Sequence, residues 1–546
     1  MRPYDAVFIG SGINSLVGAA LLAQAGWSVC VLEREAAAGG CIRTVSDLTL
    51  PGYTHELLAS WHPLFTGSAA YAELKPELDR RGVVYLNTDL PTGSAFPDGS
   101  AAFVSCSLEE NIAAFDRLAP GDGAAWERQF ASFMANADLS FGILSTELWS
   151  GAGLGLGRTA HRRLGRRGLL ELLGTTLSTC RDWTTGTFAS EAVRGVLAPW
   201  VLHTGLGPDQ AMSGFMTQVI AAALQLGGMP VPQGGGVRLV EALRGIVTDA
   251  GGELRLDADV ERIVLTAGRA SGVRLAGGEV VAARRAVLAA VTPTQLYGRL
   301  LAPGDAPAPV VAAAQRFRYG RAEMQIHLAL SEPPRWRGPE AERLARTPIV
   351  HVTPGLDAVS RAVNEAERGL LPAEATIVCG QPVALDASRA PAGASILWIQ
   401  LQELPAGPVK GDAAGELDTA AGGGAWTEEL REAYADRICA RLAAAIPNLP
   451  AATLRRVVLS PADIERQNVN LVGGDIYGGS CALDQSLLWR PLAQAPGHRT
   501  AVEGLWHIGA STHPGPGLGA GSGTIAAKAL LRKPLGQRLL ARAAGR

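Results

Sequence analysis

The sequence predicts an α/β fold in which a doubly wound, three-layer domain is interrupted by two inserted segments. Three observations predict it. An apolar strand, a glycine turn, a helix and a second apolar strand follow one another over residues 6–33. A further strand, a glycine-rich loop and a helix occupy residues 505–531 near the other end. The chain has 546 residues, more than one compact core needs, so two or three domains are expected.

The N-terminal unit has the parts of a dinucleotide-binding motif. Residues 6–9 form the buried strand, Gly10 to Gly12 the tight turn and residues 13–25 the helix, which Gly26 ends. Gly12 lets the backbone approach a pyrophosphate, and the helix N-terminus supplies free N–H groups. We therefore predict a Rossmann-type domain.

Two further positions bear on this motif. Glu33 follows Gly12 by 21 residues and ends the second strand, where an acid binds ribose hydroxyls. Ser15 stands at the third glycine position and is small enough for close packing of helix on strand. The 27 uncharged residues over 6–32 are long enough to cross a bilayer, but their internal glycines favour the strand–helix–strand interpretation.

Composition excludes several classes. With 47% hydrophobic and 18% charged residues the chain is typical of a globular protein, and its net charge of −2 gives no support for nucleic-acid binding. The seven cysteines lack CxxC or ligand-like spacing, which argues against a disulfide framework or a metal site and favours a reducing cytoplasm. The sequence also lacks a second dinucleotide motif and a CxxxxC pair, which argues against a pyridine-nucleotide disulfide reductase.

Four segments resemble one known family. The stretch "REAAAGGCIRT" after the second strand is similar to the flavoprotein extension of the Rossmann motif. Residues 504–530, "GLWHIGASTHPGPGLGAGSGTIAAKAL", resemble the C-terminal flavin-binding segment of the phytoene-desaturase-like family, within the wider group of FAD amine oxidases and carotenoid desaturases. "GGDIYGG" at 473–479 and the glycine-started helix and strand over 230–264 resemble further family segments.

The resemblance implies an FAD cofactor, with the glycine-rich loop against the ribityl chain and isoalloxazine and the Val260 backbone at the adenine. The implied FAD-binding residues are Gly10, Ser11, Gly12, Ile13, Asn14, Ser15, Glu33, Arg34, Gly39, Gly40, Arg43, Val260, Gly509, Ala510, Gly517, Leu518 and Gly519. Cys41, next to Gly40, leaves covalent attachment of the flavin open, although an apolar packing thiol is the common case.

Three residues are candidates for catalysis or for lining the substrate cavity. His513 lies inside the glycine-rich loop, Tyr477 lies within GGDIYGG, and His55 follows the Gly39–Gly40 pair closely, as does His62. The resemblance places these segments near the flavin or substrate. A structural role for each histidine stays an alternative.

The resemblance and the composition together suggest a division of the chain. Residues 1–104, 229–294 and 495–546 are assigned to a discontinuous FAD-binding domain, 105–228 to a mainly helical segment facing substrate or membrane, and 295–494 to an α+β substrate domain. Five arginines over 158–168 indicate either a solvated surface or a patch that docks on anionic lipid. The expected location is the cytoplasm, with peripheral membrane contact as an alternative.

Three functions are consistent with these observations. The first, implied by the resemblance, is an FAD-dependent oxidoreductase that removes two electrons from a C–C bond of an apolar, isoprenoid-like substrate. The second is an oxidase of an amine or a specialised metabolite, and the third is a protein that binds FAD without catalysis. The electron acceptor (oxygen, a quinone or NAD(P)) is left open.

Overall fold

The computed structural model describes residues 3–532, which form two seven-stranded sheets. The first sheet contains Tyr4–Ile9, Val29–Leu32, Glu253–Arg255, Val260–Thr266, Arg269–Leu275, Val280–Ala289 and Leu505–His507. Five of these strands pair in parallel, while Val260–Thr266 and Arg269–Leu275 extend the sheet as an antiparallel meander. The N-terminal and C-terminal segments of the chain thus join one sheet.

The first strand shows why this domain has three layers. Ala6 and Phe8 pack toward the helices Ile13–Gln24, Val237–Asp249 and Gly521–Leu531, which cover one face. Val7 and Ile9 pack on the opposite face. A strand buried on both faces is apolar at every position, as the sequence pattern predicted. The Rossmann-type α/β prediction is confirmed, with the meander forming much of the third layer.

The second sheet carries the substrate-side wall of the molecule. It contains Thr92–Ala95, Ala101–Val104, Ala322–Leu330, Ile349–Val352, Ile377–Gly380, Ser395–Leu404 and Thr453–Leu459. The sequence-based division assigned residues 92–104 to the FAD-binding domain, whereas both strands in that range belong to this second sheet. Thr92–Ala95 pairs with Ile349–Val352, a partner more than 250 positions away that no local pattern indicates.

One face of the second sheet packs on the helix Glu428–Ala445, whose bounds are those predicted. The C-terminal helix, Gly521–Leu531, begins three positions before the predicted 524. Its extra turn contains two glycines, which lower helix propensity in the sequence.

The helical segment lies between the two sheets in sequence. It contains Leu108–Leu118, Asp122–Ala135, Ala137–Ser145, Gly151–Leu177, Cys180–Thr187, Glu191–Leu197, the 3₁₀ turn Ala198–Thr204, and Ser213–Gly227. Ser213–Gly227 packs as a core helix. Over residues 3–532, no helix is both long and apolar enough to cross a membrane.

Shorter elements connect these units. The remaining helices are Pro63–Thr66, Ala69–Arg80, Pro293–Gln295, the π turn Leu296–Leu300, Ala308–Gln315, Ala341–Arg346, Leu356–Glu367, Leu449–Ala452 and Pro461–Gln467, with 3₁₀ turns at Pro382–Ala384, Ala387–Arg389, Val472–Gly474, Leu483–Gln485 and Leu487–Trp489. Two-stranded pairs join Thr44–Val45 to His55–Glu56, Tyr85–Leu86 to Val231–Pro232, Leu370–Leu371 to Gly411–Asp412, and Pro491–Leu492 to Ala495–Pro496.

Candidate active site

A large cavity of about 2030 Å³ lies between the two sheets. One end is lined by the N-terminal glycine motif and the C-terminal glycine-rich loop, and the other by the second sheet and the helical segment. Small-molecule clefts typically enclose about 300–1,000 Å³. This cavity therefore has room for a dinucleotide cofactor and a substrate together.

Glycines build the cradle at the dinucleotide end. A Cβ at Gly40, where φ is +61°, would lie 3.1 Å from the Cα of Gly12. At Gly12 a Cβ would meet nothing within 4 Å, so this backbone faces open space. Gly12 also begins the helix Ile13–Gln24, and no side chain caps that end. Uncapped N–H groups beside an open glycine backbone fit a pyrophosphate.

Glu33 is fixed at the cavity wall. Its Oε2 accepts hydrogen bonds from the backbone N–H of Ser11 at 2.9 Å and from the Ser11 hydroxyl at 2.5 Å, and its Oε1 accepts from the N–H of Glu35 at 3.0 Å. Gly39 in turn donates its N–H to Ser11 Oγ at 3.0 Å. The carboxylate is thereby held at the end of the second strand, where a nucleotide ribose would meet it.

The C-terminal helix and loop close the cradle from the other side. Gly523 packs so closely on the first helix that a Cβ would lie 1.8 Å from the backbone oxygen of Asn14. Its N–H donates to Asn14 Oδ1 at 3.1 Å. Gly509, at the start of the loop, donates its N–H to Ser522 Oγ at 3.0 Å. The loop is thus tied to the first turn of its own helix.

The GGDIYGG segment braces the glycine-rich loop. Asp475 accepts the backbone N–H groups of Gly320, Tyr477 and Gly479 at 2.7–2.8 Å, which fixes the turn. Ser511 then donates its hydroxyl to the Gly478 carbonyl at 2.6 Å.

Arg490 adds a second brace. The guanidinium of this buried residue donates to the carbonyls of Ala510 at 2.7 Å and Tyr477 at 3.0 Å. The loop and the GGDIYGG segment are therefore held to each other by side chains as well as by packing.

Sixteen of the seventeen residues implied for FAD binding line the cavity. They are Gly10, Ser11, Gly12, Ile13, Asn14, Glu33, Arg34, Gly39, Gly40, Arg43, Val260, Gly509, Ala510, Gly517, Leu518 and Gly519. Ser15 is the exception: it is fully buried and lies outside the cavity lining. Its role is packing beneath the turn. Cys41 lines the cavity, but burial raises the pKa of its thiol to about 11, which keeps it protonated and a poor nucleophile.

Two of the three catalytic candidates do not face the cavity. His513 points toward the helix Ala137–Ser145, where its Nε2–H donates to the carbonyl of Ile143 at 2.8 Å. His55 Nε2 lies 2.8 Å from Thr49 Oγ1, and its ring packs edge-on against His327. Burial lowers the pKa of both His55 and His513 to about 4, so both are neutral. The predicted placement of these two side chains at the substrate is wrong; both are structural. His62 likewise bonds Tyr85 away from the cavity.

Tyr477 does line the cavity, as expected. Its hydroxyl donates to the carbonyl of Leu202 at 2.7 Å and accepts from Gln402 Nε2 at 2.9 Å. Burial raises the pKa of Tyr477 far above its ordinary value. The residue therefore acts as a neutral anchor and is unsuited to act as a base.

A polar wall at the substrate end was missed by the sequence analysis. It consists of Glu323, Gln325, Gln400 and Gln402, on the adjacent strands Ala322–Leu330 and Ser395–Leu404. The alternation in "MQIHLALSE" and "SILWIQLQEL" contained the signal, read only as strand periodicity. One set of positions packs in the core and the other faces the cavity instead of solvent.

Glu323 is the acidic member of this wall. Its two oxygens accept from the amides of Gln325 and Gln400, each at 2.6 Å. Burial raises the pKa of this carboxyl to about 8, although both amide hydrogen bonds oppose the shift. The group is predominantly protonated at neutral pH.

The opposite wall is apolar. The helix Ser213–Gly227 presents Met216, Val219, Ile220 and Ala223 to the cavity. Trp200 and Trp398 also line it. His203, beside Trp200, bonds ring to ring with His351 at 3.0 Å, and burial lowers the pKa of His203 to about 3. The substrate end thus combines one apolar and one hydrogen-bonding wall.

The cradle, the fixed acid and the braced loop define a Rossmann-type dinucleotide-binding oxidoreductase with a separate substrate domain. The family model for flavin containing amine oxidoreductases matches residues 16–513, and the chain belongs to that family. It is an FAD-dependent oxidoreductase, which confirms the cofactor and the enzyme class expected from sequence.

Curated relatives align over nearly the whole chain. A limonene dehydrogenase polypeptide of Castellaniella defragrans is 24% identical over 97% of this chain and 94% of that protein. Hydroxyneurosporene desaturase of Cereibacter sphaeroides is 27% identical over 96% and 97%. Pyridine nucleotide-disulfide oxidoreductase domain-containing protein 2 of Rattus norvegicus is 26% identical over 97% and 93%. The resemblance to carotenoid desaturases is confirmed.

Solved structures share the fold. An oxidoreductase from Methanosarcina mazei has a TM-score of 0.60 at 15% identity and covers 96% of this chain and 99% of its own. Putrescine oxidase bound to putrescine has a TM-score of 0.58 at 14% identity, over 97% and 100%. At these identities the likeness concerns architecture alone.

Proposed function

We propose that this FAD-dependent oxidoreductase dehydrogenates a C–C bond of an apolar, isoprenoid-like substrate. Bound FAD accepts a hydride from one carbon. A proton leaves the neighbouring carbon for solvent, and the single bond between them becomes double. The flavin's two electrons then pass to an acceptor such as oxygen, a quinone or NAD(P)⁺.

The apolar wall of the cavity carries this proposal. Met216, Val219 and Ile220 stand across the cavity from the polar wall, and such a surface stabilises a hydrocarbon body by excluding water. The relatives named limonene dehydrogenase and hydroxyneurosporene desaturase act, by those names, on isoprenoids. In this arrangement the chain's own residues bind and orient the substrate, while the buried walls keep water from the reacting carbons.

Product analysis tests the proposal. The purified holoenzyme is incubated with cyclic and acyclic isoprenoids from ten to forty carbons, with each acceptor in turn. The expected result is a product that lacks two hydrogen atoms and has gained one C=C bond. Unchanged isoprenoids, with turnover of amines under the same conditions, would instead support the second candidate.

That second candidate is oxidation of an amine. The observation that favours it is the polar wall, because Glu323 places a carboxyl beside the cavity where an ammonium group could pair with it. The two amide hydrogen bonds that already occupy its oxygens weigh against this pairing.

We also propose that the protein docks peripherally on the cytoplasmic face of an anionic membrane. The helix Gly151–Leu177 exposes arginines at 158, 162, 163, 166 and 167 together with Leu154, Leu170 and Leu173. Trp149 and Ala152, at its beginning, also line the cavity. A basic, partly apolar helix beside a cavity mouth suits the uptake of a substrate from lipid.

A further inference from the structure

Gln402 holds a buried acceptor that the protein itself leaves unused. The residue is 3% exposed and lines the cavity, yet its side-chain Oε1 has no hydrogen-bond partner within residues 3–532. Buried polar atoms in native proteins are almost always paired. An unpaired carbonyl oxygen at a cavity wall therefore indicates a partner that comes from outside the chain.

The orientation of this amide follows from Tyr477. The Tyr477 hydroxyl has one hydrogen, which it donates to the Leu202 carbonyl at 2.7 Å. It can therefore only accept from its other neighbour, and the group 2.9 Å away must be the Gln402 NH₂. The carbonyl oxygen of Gln402 is thereby directed away from Tyr477, and its partner must be a hydrogen-bond donor.

The surroundings select a neutral donor. An ammonium group needs a carboxylate with free lone pairs, but both oxygens of Glu323 are occupied by the amides of Gln325 and Gln400. Burial also holds this carboxyl largely uncharged at neutral pH, since its pKa is raised to about 8. A hydroxyl places no charge in the cavity and needs only one acceptor.

We propose that Gln402 Oε1 accepts a hydrogen bond from a hydroxyl group on the substrate, so that the enzyme prefers an apolar isoprenoid alcohol to the matching hydrocarbon. Tyr477 is the positioning residue that sets the amide. This inference rests on the proposed function for the isoprenoid body of the substrate, and it adds the polar group and the residue that selects it.

Binding measurements on the holoenzyme test the inference without turnover. The ligands are geraniol, farnesol and geranylgeraniol, each compared with the hydrocarbon that has hydrogen in place of the hydroxyl and with the primary amine. Dissociation constants are read from the perturbation of the flavin absorbance in the dark and without oxygen. At least one alcohol is expected to bind wild type about tenfold or more tightly than its hydrocarbon, because a buried acceptor left unpaired disfavours the analogue without a donor.

Variants assign the effect to Gln402. Gln402→Leu should remove the preference for the alcohol and leave hydrocarbon binding within about twofold of wild type, because only the donor's partner is lost. Tyr477→Phe should reduce the preference partly, since the amide loses its anchor. The matched control is Gln218→Leu, because Gln218 is also buried with an unpaired amide but lies outside the cavity lining. It should keep the full preference.

Several outcomes would overturn the inference: equal binding of alcohol and hydrocarbon, tighter binding of the amine, equal losses for both ligands in Gln402→Leu, or no binding of any ligand. If Gln402→Leu fails to retain FAD, the alcohol-to-hydrocarbon ratio in Tyr477→Phe decides. Alcohol binding that depends on Gln402, but without any dehydrogenated product, would contradict the proposed function and leave this inference standing.

Discussion

The side-chain oxygen of Asn14 accepts a hydrogen bond from the backbone N–H of Gly523 at 3.1 Å, which joins the first helix to the last across 509 residues. The same contact leaves no room for a side chain at Gly523. The FAD site is therefore completed only when both ends of the described chain are in place.

Substitution of Gly523 should separate the two helices. Gly523→Ala places a methyl group on the backbone oxygen of Asn14, and overpacking of this kind costs about 3 kcal/mol. We expect a lower Tm and a reduced FAD content after purification. Gly174→Ala is the control, because Gly174 lies in an exposed helix with nothing within 4 Å. Equal losses in both variants would show that the contact is unimportant.

Glu33 should determine FAD affinity. Glu33→Gln puts an amide where the carboxylate accepts two backbone N–H groups and the Ser11 hydroxyl, so the ribose-binding geometry is lost. Charge-assisted hydrogen bonds contribute about 1.5–3 kcal/mol, which corresponds to a roughly 10- to 100-fold higher Kd for FAD. Titration of the apoprotein by calorimetry measures it. Glu261→Gln, at an exposed site, should bind like wild type, and an unchanged Kd for Glu33→Gln would contradict the assignment.

Glu323 should make stability depend on pH. Its pKa in the folded protein is about 8, against an ordinary value of 4.5, so the folded state binds more protons than the unfolded state between these values. The free energy of unfolding of wild type should therefore fall by about 1.4 kcal/mol per pH unit from this group as the pH rises through that window. Glu323→Gln lacks this dependence, so its stability relative to wild type should increase from pH 5 to pH 8. Urea unfolding at each pH measures the difference, and parallel curves would show that the carboxyl is charged in the fold.

Membrane docking should depend on the arginine-bearing helix. Reversing the charge at Arg158, Arg162 and Arg166 should weaken sedimentation with phosphatidylserine-containing vesicles about a hundredfold or more, since each basic residue contributes about 1 kcal/mol. Binding of wild type should also fall as salt is added. The charge-matched control reverses the exposed residues Arg337, Arg346 and Arg361. Equal loss in both triple variants, or equal binding to neutral phosphatidylcholine vesicles, would rule out a specific docking surface.

The dinucleotide end of the site was predictable because its determinants are local. Gly12, Glu33 and Gly40 stand at spacings set by one strand, one helix and one turn, so thirty or so residues of sequence contain the whole arrangement. The family resemblance added the C-terminal loop, whose contact with the first helix spans most of the chain.

The substrate end was not predictable because its determinants are distant. His513 sits in the predicted loop, but its direction is decided by the carbonyl of Ile143, 370 residues away. Glu323 and Gln402 each appear as the polar position of an alternating strand, which ordinarily faces solvent. Only the tertiary arrangement shows that this face meets a buried cavity.

The most direct test of the account is an anaerobic titration of the holoenzyme followed at the flavin absorbance band near roughly 450 nm. We predict that at least one isoprenoid bleaches this band stoichiometrically, and that primary amines such as putrescine leave it unchanged. Bleaching by the amines alone would contradict the proposed dehydrogenation of a C–C bond and assign the cavity to amine oxidation.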